Sequence, residues 1–142
     1  MPEEERAPLA LDRFQAEFAT WADATFPHST PRSRARHLFR EAIELVCATH
    51  QGADPALLAG QLADDLAREL AKERARGGGV VAEEAADVFL LLLHLAQGSN
   101  FSLLAAAHEK YAEVRGRTWG APDAAGVTEH LREERARPEG SA

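Results

Sequence analysis

An all-α bundle of about five helices is the fold class this sequence predicts, and three observations carry it. Ala (29) and Leu (17) make up about a third of the 142 residues, which favours helix over sheet. Apolar residues recur at steps of three and four through long stretches. Proline, glycine and polar residues gather at the breaks between those stretches. Aromatics supply only 6% of the chain against 45% apolar in all, so the core is expected to be aliphatic.

The elements follow in order. Leu11, Phe14, Phe18 and Trp21 step by three, four and three, one stripe of a first helix that stops before Phe26-Pro27. His28 to Arg32 reads as a loop, with Ser33 as the N-cap of a second helix running to about His50. Leu38, Ala42, Leu45 and Thr49 share one face of it, and Gly52 lies just past its end. Asp54-Pro55 fits an N-cap followed by proline at the first helical position. The third helix then runs to about Arg76 with Leu58, Leu62, Leu66 and Leu70 in a row, and Asp64 and Arg68 as a solvated i,i+4 pair. Gly77-Gly78-Gly79 breaks it, without the Gly-Lys-Ser/Thr of a P-loop. The fourth helix, from about Val81 to Gly98-Ser99-Asn100, is the most apolar and so is expected at the centre. A fifth covers Ser102 to Arg117, and a short last helix is expected over Ala124 to Arg135. No internal repeat breaks this into parts. The expectation is a single domain over 9–136, with 1–8 and 137–142 as disordered tails.

Composition excludes several functions. Cys47 is the only cysteine, so a disulfide scaffold is out, and within its apolar run it reads as a buried thiol. No CxxC or HExxH metal motif occurs. The longest apolar run, Val88 to Ala96, is interrupted by His94 and is too short to span a bilayer. Met1 to Pro8 does not read as a signal peptide, so a soluble, intracellular protein without a membrane partner is expected. A net charge of −7 argues against a nucleic-acid partner. It does not argue against a nucleotide whose phosphates are held through a carboxylate-bound metal.

Two acidic pairs stand out: Glu41 with Glu44, and Glu84 with Asp87. Members of each pair are three apart and therefore neighbours on a helix surface. Glu41 lies at i+3 from Leu38 and i−4 from Leu45, so it projects from the apolar stripe; Asp87 shares its face with Leu91 and Leu95. Ionised carboxylates turned toward a core cost several kcal/mol each unless compensated. A cluster of divalent cations compensates them, and oxygen-only donors suit Mg²⁺ or Mn²⁺. Two other readings stand beside this one: acids on solvated faces, or an ion-paired core with Arg40, Arg115 and Arg117. A ferritin-like di-iron site is excluded, because no Glu is followed by His three residues on.

Glu41-x-x-Glu44 followed by Glu84-x-x-Asp87 resembles the signature of the all-α NTP pyrophosphohydrolase superfamily, the MazG-like proteins. Glu83-Glu84-Ala-Ala-Asp87-Val-Phe-Leu-Leu-Leu resembles its second motif, and Lys110, Arg117 and Trp119 match its Lys…Arg-x-Trp pattern. Trp21 with Thr25-Phe26-Pro27, and Gly126-Val127 before His130, are similar to the dATP/dGTP pyrophosphohydrolase branch. The likeness spans about Phe14 to His130. The chain departs from the pattern at Arg40, where relatives often carry a second acid, and at Val114, where they often carry Asn. It also carries His94 where the branch tends to have Asp, and a whole extra helix between Glu44 and Glu84.

The resemblance implies a MazG-like bundle that hydrolyses a nucleoside triphosphate to the monophosphate and pyrophosphate, with a purine nucleotide (dGTP/GTP or dATP) as substrate. It implies two or three Mg²⁺ or Mn²⁺ ions on Glu41, Glu44, Glu84 and Asp87. Glu41, Glu44 and Lys110 form the expected catalytic set, one glutamate serving as base. Lys110 and Arg117, seven apart, are expected on one helix face against the substrate phosphates. Trp21, Phe26, His37 and His94 are candidates for the nucleobase pocket, beside the plainer reading of core residues. It further implies control of the nucleotide pool in the cytoplasm of a bacterium or a phage-infected cell. The apolar fourth helix and the small size lead us to expect a homodimer or homotetramer whose pocket a neighbouring subunit completes. The alternative is a catalytically inert interaction or regulatory protein that keeps the bundle.

Overall fold

A computed structural model describes residues 9–131; the two tails and the end of the expected last helix, 132–135, lie outside that range. Among the described residues the chain is all-helical, with no strand beyond a single antiparallel bridge between Trp119 and His130. The five helices are α1 (Ala10–Thr25), α2 (Pro31–Thr49), α3 (Pro55–Arg76), α4 (Val81–Gly98) and α5 (Leu103–Val114). The chain divides into two compact units, Met1–Glu41 with Ala107–Ala142, and Ala42–Ala106. Both boundaries fall inside continuous helices, α2 and α5, so no proline- or glycine-rich linker marks them.

Local chemistry sets most helix ends. The Asp12 carboxylate accepts from the Leu9 N–H at 3.3 Å ahead of α1. Asp54 caps α3 by accepting from the Ala56 N–H at 3.2 Å, with Pro55 in the first turn, and Gly77 closes it in the left-handed conformation (φ 79°). Ser33 is not the N-cap of α2. The helix begins two residues earlier, at Pro31, and Thr30 and Ser33 bond reciprocally: Thr30 Oγ1 accepts from the Ser33 N–H at 3.2 Å, and Ser33 Oγ accepts from the Thr30 N–H at 2.9 Å. This is a capping box with serine in the glutamate's place.

α5 stops at Val114, three residues short of the expected Arg117, because the chain turns tightly at Gly116, with N–H bonds reaching back to Glu113 and Val114. The last helix expected over 124–135 does not form in its described part. Asp123 Oδ1 accepts from the N–H groups of Ala125 (2.8 Å) and Val127 (3.1 Å), which competes with helical bonding. Gly126 sits at φ 77°, and the segment folds back on residues 118–120, so that Gly120 N–H meets the Glu129 carbonyl.

In the first unit, the α1 stripe packs on Tyr111. Phe14, Phe18 and Trp21 place their ring centroids 5.8, 5.4 and 5.6 Å from it, edge to face. Trp119 extends the cluster to Phe26 at 4.9 Å. Each such pair contributes about 0.5–1.5 kcal/mol beyond the area it buries. The expectation of an aliphatic core is corrected here: this unit is held by aromatics, few in number but concentrated. In the second unit only Ala96 is buried; Leu58 and Leu62 of α3 are half-buried, while Leu66 and Leu70 are exposed. Most of α4 is exposed, including Leu90 (61%) and Leu91 (69%), so within this chain it is not a central helix. Cys47 is exposed as well, not buried, because the apolar run around it is uncovered. Arg68 pairs with Asp65 at 3.0 Å, one position along from the expected Asp64. No single helix among the described residues is long and apolar enough to cross a membrane.

Candidate functional site

The carboxylates of the two motifs stand as the spacing requires, each pair one turn apart on a single helix: Glu41 and Glu44 on α2, Glu84 and Asp87 in the first two turns of α4. All four are exposed, and so are Leu38, Leu45 and Leu91 beside them. The acids therefore do share a face with leucines, but that face is open in this chain, so the desolvation cost argued from the apolar stripe is absent here. Among the described residues no three His, Cys, Asp or Glu side chains stand together.

Two of the four have partners. Glu41 Oε1 lies 3.2 Å from His37 Nε2, one turn earlier, which places this candidate pocket histidine against the candidate base. Glu84 Oε1 lies 3.4 Å from Arg76 Nη2, its side chain folded back over Gly79, where a Cβ would collide with it. Among the described residues, Glu44 and Asp87 have no ion-pair or hydrogen-bonding partner for their side chains. His94 is exposed on α4.

The expected cation pair is assembled differently from the prediction. Lys110 lies on α5 and Arg117 beyond its end, so they do not share a helix face. Glu113 brings them together instead. Its Oε2 accepts from Lys110 Nζ at 3.1 Å and its Oε1 from Arg117 Nη2. Lys110, then Arg117, hold the Glu113 carboxyl below the usual carboxylate range.

The arginines are spoken for in ways the sequence did not announce. Arg40, at the position where an acid was expected by resemblance, donates to Asp123 Oδ2 at 2.7 Å and lies 3.7 Å from Glu129. The Arg40 guanidinium, followed by the Val127 N–H, holds the Asp123 carboxyl below its ordinary value. Arg115 sits over the Tyr111 ring at 5.2 Å. Hence none of Arg40, Arg115 and Arg117 forms an ion pair with the four motif acids, and the ion-paired core is not what this chain builds.

Trp21 and Phe26 are half-buried and face each other at 5.8 Å, inside the aromatic cluster. A surface depression of about 320 Å³ is lined by Ala121, Asp123, Val127, Glu129, His130 and Leu131, none of them a predicted site residue. Sequence reading missed Arg76, Glu113, Asp123 and Glu129. For Glu113 a signal was present, since it stands three residues after Lys110 and four before Arg117. Comparison with known protein families, with characterised proteins and with solved structures finds no match to this chain.

Proposed function

We propose that this chain is a divalent-metal-dependent nucleoside triphosphate pyrophosphohydrolase acting on a purine nucleotide. The observation that carries the reading is the doubled i,i+3 carboxylate motif, Glu41-x-x-Glu44 and Glu84-x-x-Asp87, with Lys110 and Arg117 drawn to one point downstream. The donor chemistry fits a hard divalent ion: four carboxylates, no sulfur, and partners for Glu41 and Glu84 that are themselves partly exposed and exchangeable. Glu41, Glu44, Glu84 and Asp87 are the residues that hold Mg²⁺ or Mn²⁺ in this reading. Bound there, the metal polarises phosphate oxygens and lowers the pKa of a water.

The chain's own groups supply the rest. Water oxygen bonds to the α-phosphorus, the bond to the bridging oxygen breaks, and pyrophosphate leaves. Glu41 or Glu44 takes the water's proton. His37 beside Glu41 orients that carboxylate. Lys110 and Arg117 offset the charge that develops on the departing pyrophosphate.

The same reading includes a homo-oligomer. α4 is the most apolar of the five helices, yet Val81 (83%), Leu90 (61%) and Leu91 (69%) are exposed in the single chain. Exposed leucines contiguous with the motif acids are what a neighbouring subunit would cover while closing the pocket. That face is also the observation favouring the second reading, an inert helical interaction protein. Both readings meet one experiment: pyrophosphate release, read after cleavage by inorganic pyrophosphatase, from dATP, dGTP, GTP and the pyrimidine nucleotides with Mg²⁺ or Mn²⁺. The enzyme reading expects release from a purine nucleotide; silence across the whole panel leaves the interaction protein.

A further inference from the structure

Lys110 and Arg117 already hold an anion, and it belongs to the chain. Lys110 Nζ is 3.3 and 3.1 Å from the two Glu113 oxygens, and Arg117 Nη2 bonds the first of them. The three differ in how firmly they are seated. The Arg117 side chain is 24% exposed, whereas those of Glu113 and Lys110 are 54% and 59% exposed. Arg117 is fixed beyond the turn at Gly116, and Lys110 is rooted in α5, whose C-terminal end favours cations in its own right. Glu113, also on α5 and more than half exposed, has room to swing away from Arg117, the most buried of the three.

We propose that Glu113 is an internal counter-anion. It holds Lys110 and Arg117 at one point in the nucleotide-free chain and gives up that point to a phosphate or pyrophosphate oxygen. The inference rests on the preceding assignment of these two cations to phosphate, and it adds a positioning residue that competes with substrate and product. Carboxylate and phosphate oxygens offer an arginine fork the same acceptor geometry, so one can replace the other. Exposed ion pairs are weak, so the exchange costs little. With Glu113 in place the cluster carries one net positive charge; without it, two. The device thereby keeps pyrophosphate from being held too tightly for release.

The test is calorimetric titration of inorganic pyrophosphate into the full-length protein at low ionic strength without divalent metal. Wild type is compared with Glu113→Gln, Lys110→Ala and Arg117→Ala. The expected result is binding about fivefold tighter in Glu113→Gln and weaker in both cation variants. Glu113→Gln binding no tighter than wild type, while the cation variants bind more weakly, overturns the counter-anion and leaves the phosphate assignment standing. Cation variants that bind as wild type does overturn the assignment itself, and the counter-anion with it. Glu113 is exposed, so the variant is expected to fold; a helical far-ultraviolet spectrum and unchanged melting verify that the comparison is made on folded protein.

Discussion

Replacing Gly126 by alanine tests how the segment after α5 is held against the start of α2. Gly126 has φ 77°, and a Cβ there would lie 3.0 Å from the Ser33 Cβ. Left-handed backbone costs a residue with a Cβ roughly 1–2 kcal/mol. The contact adds about 1 kcal/mol, because Ser33 is 5% exposed and tied to Thr30 in both directions, so it cannot step aside. Alanine recovers roughly 0.4–1 kcal/mol by stiffening the unfolded chain. The net loss is about 2 kcal/mol, which for a chain of this size lowers Tm by roughly 6–10 °C. Trp21 and Trp119, the only tryptophans, both lie in the unit that contains Gly126, so a tryptophan-fluorescence melt reports that unit. Gly60→Ala is the control. It lies inside α3 with nothing within 4 Å of its Cβ, and alanine there stabilises the helix by about 0.5–1 kcal/mol. A Gly126→Ala melt within about 1 °C of wild type would refute this packing of Gly126 on Ser33.

Three further outcomes are expected. Asp123 is held below its ordinary value in the folded chain, so its pairing with Arg40 stabilises above about pH 4 and is lost as pH falls through the folded value. Asp123→Asn is therefore less stable than wild type at pH 7 by urea unfolding, with the gap closing below about pH 4; a gap independent of pH contradicts the ion pair. Leu91→Glu, on the open face of α4, converts a sedimenting dimer or tetramer into monomer; an active wild-type monomer contradicts the oligomer. Arg76→Ala frees the Glu84 carboxylate of its 3.4 Å partner and lowers the Mg²⁺ concentration needed for half-maximal pyrophosphate release, by about twofold to fivefold; a higher requirement means that Arg76 aids the site.

Helix periodicity carried the fold well because caps and breakers are local. Asp54-Pro55 and Gly77 bound α3 at the residues expected, and α4 ends at Gly98 with Ser99 as its C-cap. Where a side chain competes for backbone bonds the pattern misleads. Asp123 turns Ala124 to Val127 out of the helix that their alanines suggest, and Gly116 ends α5 before Arg117. The carboxylate motifs were legible because i,i+3 spacing on a helix is fixed by geometry. What each acid faces was not, since the exposure of Leu38, Leu45 and Leu91 depends on what covers them. Partners distant in sequence left no local trace: nothing near Arg40 points to Asp123, 83 positions on. Tyr111 shows the same limit, because a single aromatic among alanines gives no sign that three α1 rings converge on it.

The proposed function requires that the doubled carboxylate motif hold metal for nucleotide hydrolysis. Pyrophosphate release from purine nucleoside triphosphates with Mg²⁺, measured side by side for wild type and Glu84→Gln, tests it most directly. Turnover by wild type and a loss of about a hundredfold or more in the variant are expected. Equal release from both, or none from wild type above the variant, contradicts it.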